Sequence, residues 1–143
     1  MARPELSTIQ HVSPRDIWRY EDLDFTPWLA ANIHLLGEVL GMELEAVTTE
    51  ASTGNFSLDV LARDASGANV AIENQLEWSD NSHLGQTLTY AAHFDARTLI
   101  WVSPKFYRTH RAAIDWLNRH TADEIKIYGV EVSAIKIGES LPS

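Results

Sequence analysis

Cysteine is missing from all 143 residues, which excludes disulfides, thiolate zinc sites and cysteine nucleophiles from any account of this chain. No apolar run approaches the ~18 residues of a membrane-spanning helix, and Met1-Ala2-Arg3-Pro4-Glu5 lacks the apolar stretch of a secretory signal. The expectation is a cytoplasmic protein with no membrane partner. Glycine is sparse, at 7 residues, and builds neither a phosphate-cradling loop nor a Gly-x-Ser-x-Gly elbow, so nucleotide binding and serine-hydrolase chemistry are set aside. His83 and His93, like His110 and His120, are too far apart in sequence to ligate zinc from one helix turn, and they read as surface or packing residues.

Positive charge is also scarce. Lys and Arg total 11 against 20 Asp and Glu, a net charge of −9. Nucleic-acid binding draws most of its affinity from cations on phosphates, so the overall balance weighs against it. The distribution is uneven, however. Residues 21 to 80 hold twelve acidic side chains against Arg63 alone, whereas Pro104 to His120 carries Lys105, Arg108, Arg111 and Arg119 against Asp115. That second segment either meets phosphate or is an ordinary solvated helix face.

The length suits one domain with a real core. Residues 1–24 read as a polar, irregular N-terminal arm with Trp18 and Tyr20 as anchors, and residues 25–143 as the domain. Thr26-Pro27 predicts a helix start, with the Thr capping, and Gly41 its end; Trp28, Leu29, Ile33, Leu36, Val39 and Leu40 recur between them at helical spacing. Glu43 to Glu50 predicts a strand and Ser52-Thr53-Gly54-Asn55 a turn. Phe56 to Ala62 and Val70 to Gln75, joined by Asp64-Ala65-Ser66-Gly67, read as a β-hairpin. A helix from His83 to Phe94, an apolar strand Thr98 to Val102, a helix Lys105 to Arg119 with Ile114 and Leu117 inward, and strands at Ile125–Val132 and Ala134–Ile137 complete the order. Strands followed by alternating helix and strand imply an α/β sandwich on a mixed sheet.

The hairpin carries the chemistry. Alternation of side chains puts Ser57, Asp59 and Leu61 on one face, with Phe56, Leu58, Val60 and Ala62 on the other. Ala71, Glu73 and Gln75 share a face on the second strand. If Asp59 and Glu73 lie on one side of the hairpin, they form an oxygen-rich site suited to a hard divalent cation. Downstream, Gln86 and Tyr90 are one helix turn apart on a common face. Trp78, in the loop after the second strand, is placed either to stack on an unpaired base or to cover the core edge. Trp28, Trp101 and Trp116 read as core by periodicity.

An Asp closing one strand at Asp59, Glu73-Asn74-Gln75 in the place of a Glu-x-Lys motif on the next, and a Gln-x-x-x-Tyr helix at Gln86–Tyr90 together resemble the PD-(D/E)XK nuclease superfamily, including its RecB-like branch. The resemblance runs from about Phe25 to Val102. It implies a restriction-endonuclease-like sandwich, a central mixed sheet flanked by helices, and Mg²⁺- or Mn²⁺-dependent hydrolysis of nucleic acid, most simply DNA, in defence or repair. It also implies site roles: Asp59 and Glu73 as catalytic metal ligands, the backbone carbonyl of Asn74 as a further ligand, and Gln86 and Tyr90 beside the nucleic acid. Glu38 resembles the acidic residue that many relatives place on the first helix near the metals, although spacing alone reads it as solvated. Gln75 stands where the family has Lys, and it can hydrogen-bond a water but not supply charge. Active relatives with Gln there exist, as do relatives that lost cleavage with the Lys. The alternative is therefore an inactive nuclease-fold module binding nucleic acid or a protein. A homodimer or protein partner would supply the positive surface that the chain lacks.

Overall fold

Pro27 and Gly41 bracket the first helical stretch as expected, but the computed structural model, which describes residues 9–12, 25–52, 57–132 and 134–137, splits it into α1 (Thr26–Ala31) and α2 (Ile33–Leu40). The break is at Asn32. Its backbone N–H is shared between the carbonyls of Trp28 and Leu29 at 3.0 and 3.1 Å, and its side-chain Nδ2 also donates to the Trp28 carbonyl at 2.9 Å. A side chain that competes for backbone acceptors in this way offers an alternative to a continuing helix. Gly41 ends α2 in the left-handed region, φ 68°, which glycine adopts without steric cost. Thr26 does not cap α1; its hydroxyl instead accepts from Asn74 Nδ2 at 2.9 Å.

Five strands form the main sheet in the spatial order β2 (Leu44–Ser52), β3 (Ser57–Asp64), β4 (Asn69–Asn74), β5 (Thr98–Ser103) and β6 (Lys126–Glu131). Strands β2, β3 and β4 run antiparallel, and β4, β5 and β6 run parallel. The crossovers between the parallel strands are α3 (Asn81–His93) and α4 (Arg108–His120). This is the α/β architecture expected from sequence. Strand β5, buried at every residue, is covered on both faces, which explains its uninterrupted apolar run.

Leu29, Ile33 and Leu36 of α1 and α2 pack on Val60, Ala62, Val70, Ile72, Ile100 and Val102 on one side. Tyr90, Ala91 and Ile114 of α3 and α4 pack on Leu61, Ala71, Leu99, Trp101 and Ile127 on the other. Leu58 joins this second cluster rather than the Val60 and Ala62 side predicted by alternation. The β2–β3 register shifts between Ala46 and Thr48, opposite Ala62 and Leu61, and Glu50, next to Leu58's partner Ala51, has a positive φ of 51°. Local twist of that kind re-aims side chains.

Three tryptophan and valine assignments are corrected. Trp28, Val39 and Trp116 are exposed, because the inward stripes of their helices are filled by Leu29, Ile33 and Leu36 and by His110 and Ile114. Trp101 is core, as expected. A strand missed in the N-terminal region, β1 (Ile9–Val12), pairs antiparallel with β7 (Ala134–Ile137) as a separate two-stranded sheet. Its partner lies at the far end of the chain, beyond the reach of local pattern. Trp18, Tyr20, Phe56 and the turn at residues 53–55 lie outside the described residues.

Candidate active site

The β3–β4 ladder runs from Arg63↔Asn69 to Val60↔Ile72 and stops. The next facing positions are Asp59 and Glu73. There, side chains replace backbone as hydrogen-bond partners: the Asn74 N–H donates to Asp59 Oδ2 at 3.0 Å, and the Asp59 N–H reaches Glu73 Oε1 at 3.4 Å. The hairpin turn sets this meeting. Asp64 Oδ1 accepts from the Ser66 and Ala68 N–H groups and the Ser66 hydroxyl, and Gly67 at φ 86° completes a turn that fixes the register.

Glu73 is buried, with 3% of its surface exposed, while Asp59 is half-buried. Burial pushes the Glu73 carboxyl up to about 10, helped by its hydrogen bond with Asp59, the Asp59 charge and the more distant charge of Glu50. Two carboxyl groups this close cannot both be ionised cheaply without a cation between them. At neutral pH the metal-free pair holds a proton. The phenol of Tyr90 is raised as well, first by burial and then by the charges of Glu73 and Asp59, so its hydroxyl stays neutral beside the pair.

Glu50, to which sequence reasoning gave no role, comes toward the same site from β2. It is exposed, its Oε2 accepts from the Ser57 hydroxyl at 3.1 Å, and its charge acts on Glu73. Only the pairing of β2 with β3 brings it there, and that pairing was not readable from the strand alone. Among the described residues no group of three or more His, Asp or Glu side chains is placed to hold a metal ion. Asp59 and Glu73, with neighbouring backbone oxygen, are the oxygen groups the site offers, of the kind a hard divalent cation takes as ligands.

Other assigned residues are placed differently. Glu38 lines a surface groove with His34, Gly37, Met42 and Leu44, and Leu44 pairs with Asp64 at the end of β3 remote from Asp59. Six strand residues separate Leu44 from Glu50, about 20 Å at strand rise, so Glu38 does not join the carboxylates. Gln75 is fully buried; its Oε1 accepts from Trp101 Nε1 at 2.6 Å and its Nε2 donates to the Trp78 carbonyl at 2.8 Å. This carboxamide holds the core together and is not presented to an attacking water. Asn74 points its amide away from the pair, to Thr26 on the opposite face. Gln86 lies one turn before Tyr90 and bonds the Ser82 hydroxyl at 3.2 Å.

Trp78 is half exposed rather than a cover for the core edge. Lys105, Arg108 and Arg111 are exposed in the loop after β5 and in the first turn of α4. The carboxylates and these cations thus lie toward the C-terminal ends of parallel strands, where ligands bind in open α/β sheets.

Solved structures of similar fold include the EndoMS–dsDNA2 complex, at 16% identity and a TM-score of 0.55, covering 75% of this chain. A repair endonuclease from Pyrococcus abyssi matches 72% of the chain at 17% identity and a TM-score of 0.55, and EndoMS in apo form 79% at 15% and 0.54. The chain has the restriction-endonuclease-like fold. It spans less than half the length of these endonucleases, 43%, 45% and 47% respectively. No protein-family model matches the sequence, and no curated protein does.

Proposed function

We propose that the protein is a metal-dependent nuclease that hydrolyses phosphodiester bonds in DNA. The observation that carries this reading is the Asp59–Glu73 pair at the open end of the β3–β4 ladder, with Glu73 buried and its carboxyl pushed up by that burial and by Asp59 beside it. Asp59, Glu73 and the backbone carbonyl of Asn74 would hold Mg²⁺ or Mn²⁺, which when bound supplies an activated water and draws charge from the phosphate. As a ligand Glu73 would have to be ionised, so metal binding would be coupled to release of its proton. Tyr90 presents a neutral phenol beside the carboxylates as a hydrogen-bond donor. Lys105, Arg108 and Arg111 meet the phosphates, with Gln86 flanking the strand. The likeness to repair endonucleases supports the same reading at the level of fold.

The test is cleavage of single- and double-stranded DNA and of RNA with Mg²⁺ or Mn²⁺, comparing wild type with Asp59→Ala and Glu73→Gln. Cleavage by wild type that disappears in both variants is expected. Unchanged cleavage in the variants would remove the site.

One observation favours a second reading, a nuclease-fold module that binds without cutting. The position of the family Lys is Gln75, and its amide is consumed by Trp101 and Trp78. DNA binding with no cleavage under any metal would establish that alternative.

A further inference from the structure

Trp78 and Tyr107 come from two different loops, after β4 and after β5, and are both half exposed, at 51% and 50%. Their ring centroids are 5.0 Å apart, tilted by 58°. Exposing two large aromatic rings side by side forgoes apolar burial, and such a patch usually marks an interaction site. Beneath them lies a buried polar lock. The Ser79 N–H donates to the Lys105 carbonyl at 2.9 Å, the Tyr107 N–H donates to Ser79 Oγ at 2.9 Å, and Ser79 Oγ bonds His110 Nδ1 at 2.7 Å. His110 Nε2 bonds Asn81 Oδ1 at 2.8 Å, and the Ser103 hydroxyl donates to the carbonyls of Glu77 and Lys105 at 2.8 and 3.0 Å. The Asn81 carbonyl oxygen can only accept, so His110 Nε2 carries the proton and its Nδ1 accepts from Ser79. Every group in this lock is satisfied, and the two loops cannot slide past each other without breaking it.

We infer that the Trp78–Tyr107 pair is a preorganised stacking platform for an unpaired base of a nucleic-acid strand, with Lys105, Arg108 and Arg111 holding the phosphates beside it. Charge complementarity selects this occupant. The rings offer flat π-faces; Lys105, Arg108 and Arg111 are exposed in the loop and helix turn on the Tyr107 side, while Glu77 and Asp80 flank Trp78, so the phosphates are met on the Tyr107 side of the rings. A protein partner with an apolar plug would be repelled by no part of the rings but would have no use for three exposed cations. Trp78 lies five residues after Glu73, so at full extension their Cα atoms are within about 18 Å. A strand crossing the carboxylates can therefore place a nearby base on the rings. The inference deepens the nuclease reading by naming a substrate class, strands with an unpaired base near the scissile phosphate.

The test measures binding without metal, so that cleavage plays no part. Wild type is titrated with a single-stranded DNA oligonucleotide and with the same strand carrying abasic sites. Stacking predicts that the base-bearing strand binds about five- to a hundredfold tighter. Trp78→Ala and Tyr107→Ala each abolish most of that difference, and Trp78→Phe retains it. Equal affinity of wild type for the two strands overturns the platform, whatever the variants do. So does a change from dimer to monomer in Trp78→Ala with unchanged DNA affinity, which would assign the rings to a second copy of the chain. Because the strand comparison needs only wild type, it stands even if a variant misfolds. Base-dependent binding without cleavage in metal would refute the nuclease reading alone, and cleavage without base dependence would refute the platform alone.

Discussion

A single buried carboxyl dominates the chemistry of the candidate site. The folded protein holds the Glu73 proton more tightly than the unfolded chain does, since the pKa rises from an ordinary 4.5 to about 10. Stability from this group is therefore complete below about 4.5 and is lost as pH climbs toward 10. Thermal melting of the metal-free protein should show a falling melting temperature across that window, and Glu73→Gln should flatten the profile. An unchanged slope in the variant would show that another group is responsible. A second expectation concerns the cation itself: Mg²⁺ or Mn²⁺ raises the melting temperature of wild type, more strongly at pH 8 than at pH 6, because the ion must displace the proton. Calorimetry in buffers of different ionisation enthalpy would detect the released proton. Gln75 acts elsewhere. Gln75→Leu leaves the buried Trp101 indole N–H without an acceptor, and urea unfolding should report a loss of about 1–3 kcal/mol.

Among the elements, the two loops at the C-terminal ends of β4 and β5 behave as one unit through Ser79. Ser79→Ala strips a partner from both the Tyr107 N–H and His110 Nδ1, and unfolding should show a loss of about 1–3 kcal/mol for each group left dry. Faster amide exchange in residues 76–80 and 104–107 would accompany it, and exchange confined to α3 would contradict the coupling. At the other end of the sheet, α2 closes tightly against its own exit. The Gly37 carbonyl accepts from the Met42 N–H at 2.9 Å, and a Cβ at Gly37 would collide with the Met42 carbonyl oxygen. Gly37→Ala should cost about 1–3 kcal/mol, where helix propensity alone would favour alanine. Nothing in the chain's local pattern marks Gly37, because the clash is with residues beyond the helix end.

Taken whole, the molecule is acidic, and its charge is sorted. On the proposed reading, a net charge of −9 would repel DNA at long range, while Lys105, Arg108 and Arg111 would attract it over a few ångströms. The three phosphate contacts proposed for these residues imply a salt dependence of DNA binding no steeper than about −3 in log K against log salt, and Arg108→Ala should reduce the slope by about one. A much steeper slope would mean that residues outside this cluster, or a second chain, carry the contacts. The sequence by itself determined most of the scaffold. Pro27, Gly41, the Asp64–Gly67 turn and the apolar run of β5 are local signals for local hydrogen bonds, and the alternation across a short turn was enough to bring Asp59 opposite Glu73. Tertiary structure decided the rest. Glu38 lies at the wrong end of the sheet, Glu50 approaches the pair, Trp78 faces outward, and Gln75 is spent on Trp101, 26 residues away in the chain. Each of those outcomes depends on which distant strand or loop supplies the neighbouring hydrogen-bond partner or covers the ring, and periodicity along one strand carries no information about that choice.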